Sequence, residues 1–312
     1  MTLTELPHSA SSQAAFADPD QHVPRVERPT AEDFQRRFVQ RSQPCVITGV
    51  ASQWPAFSKW GADYLKSVAG DREVAVHFDE DGDFQRWYSP LGTGDRKMRL
   101  ADFLDILTAE PPDRRYYMSE HDVRWISGAL LADVDMSGYP FIDVSEPAMF
   151  LGRDTMMPLH YHGTTEAVCC QLIGDKEFVL FAPEDTRRLA PFPCWSRFFH
   201  FSQIGVAEQA KVFQRGDHLG EWKATSKEFP RYAKATPIRV HLRPGDMLYI
   251  PVDWWHVTTC PGFQANVVWF WRSSFRRWHF PSPGLHTLGH LAAFRLRHGF
   301  RKPLDRYARA KS

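Results

Sequence analysis

The sequence predicts a mainly β fold, a sandwich or barrel with flanking helices. Three observations point that way. The second half is a series of short apolar runs, rich in β-branched and aromatic residues and separated by Gly and Pro turns. The first half and the last stretch carry helical spacing instead. Aromatic residues are abundant, with 23 Phe, 11 Trp and 9 Tyr, which suits a β-rich core or an aromatic-lined pocket.

The elements follow in order. Residues 1–24 are rich in Ser, Ala, Asp and Pro without an apolar period, as in a mobile tail. Thr30 followed by Glu32 and Asp33 reads as a helix start, and AEDFQRRFVQRS sets Phe34 and Phe38 four apart. PCVITGV (44–50) reads as a strand, SQWPAFSKW as a loop, and GADYLKSVAG as a helix ending at Gly70. VAVHF (74–78) is strand-like, DEDGDF a turn, and MRLADFLDILTAEPP a helix stopped by Pro111 and Pro112. RRYYMSE (114–120) is again strand-like. Farther on, LHYHGTTEAVCCQLI and KEFVLFAP are apolar runs joined by Gly174–Asp175, a two-residue hairpin signal. IRVHLRPGDMLYIP reads as two strands around a Pro-Gly-Asp turn, and FQANVVWFWRSSF as one more strand. From Gly284 the spacing is helical. The expected organisation is a tail (1–24), an N-terminal α/β portion packed on the core (25–150), a β-barrel (151–275) and a C-terminal helical segment (276–312).

The 312 residues suffice for one large domain with additions or two small ones, and for a sizeable core. A net charge of +1 argues against a nucleic-acid partner. No apolar run approaches the ~18 residues of a membrane span. The opening MTLTELPHSASSQAAF lacks a basic stretch followed by an apolar one, so neither a membrane nor a secretory route is expected. Five cysteines without a Cys-x-x-Cys pair fit reduced thiols in a cytoplasm. Cys169 and Cys170 are adjacent on a strand, so at most one faces a pocket.

The 14 histidines direct attention to metal chemistry. In Leu159-His160-Tyr161-His162, residues i and i+2 share one face of a strand, so two imidazoles can grip one ion. An extended chain through Gly163-Thr164-Thr165 gives Glu166 the same parity, which makes it a candidate fourth ligand. His256, far along the chain in PGDMLYIPVDWWH, is placed to close the site. His200, His241, His279, His286 and His298 lack partners at useful spacing and read as core or surface residues. Trp254, Trp255, Trp269 and Trp271 flank the metal strands; the last three are candidates to line a substrate pocket, although core packing competes for each.

These stretches resemble the two signature motifs of the cupin superfamily. The first is His160-x-His162-x₃-Glu166 with Gly174 closing the strand, and the second is Gly245, Pro251, Asp253, His256. Asp253 stands where the motif has Gly. From PCVITGVASQWPAFSKW to VVWFWRSS the chain is similar to the JmjC-type, cupin-like iron and 2-oxoglutarate oxygenases. That resemblance implies a double-stranded β-helix (jelly-roll) core and a two-His-one-carboxylate triad holding Fe(II), with positions open for the oxoacid and O₂. His160 and His256 match the two family histidines, whereas His162 falls where the family has Asp or Glu. The resemblance also implies that Lys176, in GDKEFVLFAP, meets the distal carboxylate of 2-oxoglutarate, with Tyr117 supporting it. Met157 stands in place of a family Thr, and Trp269 in place of a family Asn; Asn266 is three positions away, with reversed parity. Terminal helices in such relatives form dimer interfaces, so a homodimer through the C-terminal helix is expected.

The leading expectation is therefore an Fe(II)- and 2-oxoglutarate-dependent hydroxylase acting with O₂ on an unidentified substrate. No nucleophile motif, P-loop or dinucleotide fingerprint competes with it. A three-His metal dioxygenase that dispenses with the oxoacid, and a non-catalytic metal-binding or protein-interaction member, stay open.

Overall fold

The computed structural model describes residues 23–79, 96–109, 115–142, 147–205, 209 and 228–298. Residues 1–22 of the expected tail, most of the DEDGDF turn and the chain beyond residue 298 lie outside the described residues; the last two residues of that tail are packed, Val23 being buried and the Pro24 carbonyl accepting from the Val46 N–H at 2.9 Å.

Eleven strands are described. They are β1 (Arg25–Glu27), β2 (Cys45–Thr48), β3 (Glu73–Asp79), β4 (Arg96–Arg99), β5 (Arg115–Asp122), β6 (Ala148–Tyr161), β7 (Thr165–Ile173), β8 (Lys176–Phe181), β9 (Ile238–Leu242), β10 (Met247–Ile250) and β11 (Trp255–Arg272). Two of them, β6 with 14 residues and β11 with 18, exceed the common strand length. They pair antiparallel from Trp255↔Tyr161 to Val268↔Ala148, with bulges between His256 and Thr258 and between Cys260 and Phe263. A bulge bends and twists a strand, and here it lets one pair of strands serve two sheets. The larger sheet runs β1-β2-β10-β7-β11-β6-β5-β3-β4. The smaller adds β8 to the first part of β11 (Trp255–Thr259), with β9 outside β8. This is the predicted cupin-type, jelly-roll core.

Gly174–Asp175 does not close a hairpin. β7 pairs with the latter part of β11 (Ala265–Arg272) and with β10, whereas β8 pairs with the first part of β11 and with β9. Both strands find a longer partner in β11 than in each other, so the turn carries the chain from one sheet to the other. It is tight: Gly174 has φ +68°, and a Cβ there would stand 2.3 Å from the Phe263 carbonyl oxygen. The Pro-Gly-Asp turn between β9 and β10 also joins strands of different sheets. The run LHYHGTTEAVCCQLI is likewise two strands, with a bend at Gly163–Thr164 between β6 and β7.

The N-terminal portion contributes strands as well as helices, since β2 pairs with β10 and β5 with β6. Thr30 caps its helix by accepting from the Asp33 N–H at 3.2 Å, and that helix widens into a π-helical turn over Gln35–Val39. Part of the expected loop is a short helix, Pro55–Lys59, with Pro in its first turn, where a missing N–H is harmless. Helices Ala62–Ala69 and Leu100–Thr108 follow the predicted periods. One apolar cluster, from Phe34 to Trp271, covers the outer face of the larger sheet. A second, including Tyr117, Phe150, Cys169, Phe178 and Val268, fills the space between the sheets. A third, around Tyr161 and Trp255, backs the smaller sheet. Among the described residues no helix is long and apolar enough to cross a membrane.

Candidate metal centre

The register that pairs β6 with β11 sets His256 directly opposite His160. His162 follows immediately after β6 ends, where the chain bends. The rings lie 4.1 Å (His160–His256), 4.8 Å (His162–His256) and 5.5 Å (His160–His162) apart between centroids. One ring nitrogen from each falls within 4.8 Å of the others, the only such group of metal-ligating side chains among the described residues.

The hydrogen bonds orient the lone pairs. His160 Nδ1 lies 2.7 Å from the Pro158 carbonyl, and His256 Nδ1 3.2 Å from that of Trp254. A carbonyl only accepts, so each Nδ1 carries the proton and each Nε2 the free lone pair, the usual arrangement behind a metal ligand. His162 Nδ1 is buried without a hydrogen-bond partner, an orphan that a bound cation would satisfy. Burial lowers the pKa of His160 to about 4 and of His162 to about 3, and holds His256 well below its ordinary value. All three are neutral at physiological pH and able to donate a lone pair. Phe201 stacks on His160 at 5.2 Å, and Phe270 meets His162 edge-on at 5.4 Å. The donor set fits a divalent first-row metal.

Glu166 does not join the imidazoles. The bend at Gly163–Thr164 breaks the extended run that the parity argument required. Glu166 then points to the outer face of the larger sheet, with Val168 and Cys170, while Ala167 and Cys169 point between the sheets. Its carboxylate is fully buried there and accepts from Arg277 Nε at 2.7 Å and from the Tyr249 hydroxyl at 2.7 Å.

The expected tryptophan-lined pocket is also corrected. Trp269 and Trp271 lie in the outer cluster, packed on Trp54 (5.6 Å) and stacked on Tyr249 (5.9 Å). Trp255 is buried behind the smaller sheet, its Nε1–H donating to Thr186 Oγ1 at 3.0 Å. Strand alternation explains all three: on β11 the pocket face belongs to His256 and then, past the bulges, to Asn266, Val268 and Phe270. Asn266 is fully buried and donates from Nδ2 to Gln264 Oε1 at 2.7 Å. Its reversed parity relative to Trp269 is what places it inside. Phe201 comes from an irregular loop whose approach no local sequence pattern announces.

Lys176 and Tyr117 are each buried. Lys176 opens β8, is 5% exposed, and makes no ion pair or hydrogen bond among the described residues. Its Nζ lies 5.3 Å from the centre of the Phe178 ring. Tyr117 belongs to the same interior cluster, 6.2 Å from Phe150. It packs against β6 at Gly152, where a Cβ would stand 2.7 Å from Tyr117 Cδ2.

A family model described as a cupin-like domain matches residues 31–277. The chain belongs to the cupin-like domain family. Among the cupin-like proteins it is 27% identical to lysine-specific demethylase 8 of Danio rerio over 274 residues, 85% of this chain and 61% of that protein. It is 26% identical to Jumonji C domain-containing protein 5 of Drosophila melanogaster over 261 residues, 79% and 59% of the two chains. It is also 27% identical to the bifunctional peptidase and (3S)-lysyl hydroxylase JMJD7 of Homo sapiens over 275 residues, 80% and 84%. The chain thus spans about 60% of the length of the first two relatives. These matches bear out the resemblance to the JmjC branch that the motifs implied.

Proposed function

We propose that this chain is a non-haem Fe(II)- and 2-oxoglutarate-dependent oxygenase that hydroxylates a C–H bond. The observation that carries the reading is Lys176. An ammonium buried within electrostatic reach of His160 and His256, with no ion pair or hydrogen bond among the described residues, is an unfavourable arrangement unless a ligand supplies the charge. A dicarboxylate that reaches from the metal to Lys176 does so.

His160, His162 and His256 would hold the iron, which with 2-oxoglutarate and O₂ supplies the oxidising power that puts one oxygen atom into the substrate and the other into succinate, with release of CO₂. The protein's part is positioning. Lys176 pairs with the distal carboxylate, Tyr117 braces that end of the pocket, and Phe150, Phe178 and Phe270 keep water out. Relatives named as demethylases and as a lysyl hydroxylase make a lysyl side chain of a peptide or protein the first substrate class to try. Small molecules are the second.

The all-imidazole donor set favours one further reading, a three-His dioxygenase that needs no oxoacid. A single comparison separates them. Wild-type protein with Fe(II) under anaerobic conditions is expected to bind 2-oxoglutarate, and Lys176→Ala to lose that binding while retaining the metal. With O₂ and a lysyl peptide, wild type is expected to release succinate. Binding unaffected by Lys176→Ala, or no binding by wild type, overturns the oxoacid reading.

A further inference from the structure

The two carboxylates next to the metal motifs do not ligate, yet both are fully buried and both grip the same piece of chain. Glu166, four residues after His162, holds Arg277 through Nε at 2.7 Å and Nη2 at 2.6 Å. Asp253, three residues before His256, accepts from the His279 backbone N–H at 2.8 Å. Between them lies the 273–280 segment that leaves β11. It is tied to the His162 bend at further points. Ser273 N–H donates to the Thr164 carbonyl at 3.0 Å. Past the segment, Thr287 of the C-terminal helix (Gly284–His298) packs so close that a Cβ on Gly163 would stand 2.7 Å from its Oγ1, and that Oγ1 meets the Tyr161 hydroxyl at 3.3 Å.

Asp253 also acts on His162 directly, since its N–H donates to the His162 carbonyl at 3.0 Å. Asp253 has φ +69°, the left-handed region where the cupin motif carries Gly. A side chain strained into a glycine position, buried and bonded to the clasping segment, is explained if the carboxylate is needed there. His160 and His256 are fixed by the β6–β11 ladder, but His162 stands beyond the end of β6 and has no ladder of its own.

We infer that the 273–287 segment is a clasp that holds His162 in ligating position, with Glu166, Asp253 and Arg277 as its positioning residues. The clasp does in this chain what strand pairing does for the other two imidazoles. It rests on the reading that the three imidazoles hold a divalent cation. Contacts outside a ligand shell are typically worth about 10- to 100-fold in metal affinity.

The test is Co(II) titration of the full-length protein, read by its visible absorption, beside thermal melting of the metal-free form. Asp253→Gly, which removes the carboxylate at a positive φ that glycine accepts, and Arg277→Met are expected to weaken Co(II) binding by about 10- to 100-fold and to shift the ligand-field bands as one nitrogen is lost. The control is Asp133→Asn. Asp133 is another buried carboxylate, bonded to Lys59, Trp60 and Tyr64 far along the chain from the histidines. It is expected to lower the melting temperature without moving the Co(II) affinity or spectrum. Should Arg277→Met fail to fold, Arg277→Lys and Asp253→Gly carry the same comparison. Clasp variants that bind Co(II) as wild type does, or weaken it only in step with melting temperature as Asp133→Asn does, overturn the clasp. Wild type that binds no Co(II) overturns the three-imidazole site itself.

Discussion

Burial of imidazoles makes the metal-free protein respond to acid. His160 titrates at about 4 and His162 at about 3, because burial disfavours the imidazolium, whereas in the unfolded chain both titrate near 6.5. Between those values the unfolded state binds more protons than the folded one, so folding stability rises with pH across that window. Urea midpoints of the apoprotein are therefore expected to fall as pH drops from 6.5 towards 4, and Ala at positions 160 and 162 to flatten that slope. A midpoint independent of pH over the window would contradict the neutral, buried state of these rings. At the same scale, cysteine chemistry is muted. Burial pushes the Cys169 thiol up to about 11, and raises those of Cys45, Cys170 and Cys260 as well. Native protein is expected to give one fast equivalent with a thiol reagent, from the partly exposed Cys194, and five after denaturation.

Strand β6 decides how the interior is shaped. Its Gly152 lets the Tyr117 ring of β5 lie against the strand, with Thr155 Cγ2 also within 2.9 Å of where a Cβ would sit. Gly152→Ala pushes that ring off its seat in a close-packed region. Overpacking of this kind costs about 1–3 kcal/mol. The expected result is a lower urea midpoint and weaker 2-oxoglutarate binding, with Co(II) affinity unchanged, because the three imidazoles lie at the other end of β6. An oxoacid affinity equal to wild type would remove Tyr117 from that pocket. The bulges of β11 act at this scale too. Their register shifts cancel, so the alternation that turns Trp255 away from His256 carries on to put Asn266, Val268 and Phe270 on the pocket face, an outcome that composition near the motif does not reveal.

Across the whole molecule, the sequence determined the parts that depend on neighbours along the chain. The helical periods, the Thr30 cap, the strand-forming runs and the shared face of His160 and His162 follow from local sterics and side-chain period. The distant His256 was legible because Gly245, Pro251 and His256 resemble the second cupin motif. Tertiary structure alone decided which strands pair and which way residues point after a bend. Gly174–Asp175 carries good hairpin chemistry, but β7 and β8 pair with different parts of β11 rather than with each other. Glu166 had ligand spacing on paper. One bend at Gly163–Thr164 turned it to Arg277, a partner 111 residues away that no local pattern names. Period and propensity act over a few residues. The choice between competing long-range partners is settled by total burial and by the need to pair every buried charge, and those quantities exist only once the chain has folded.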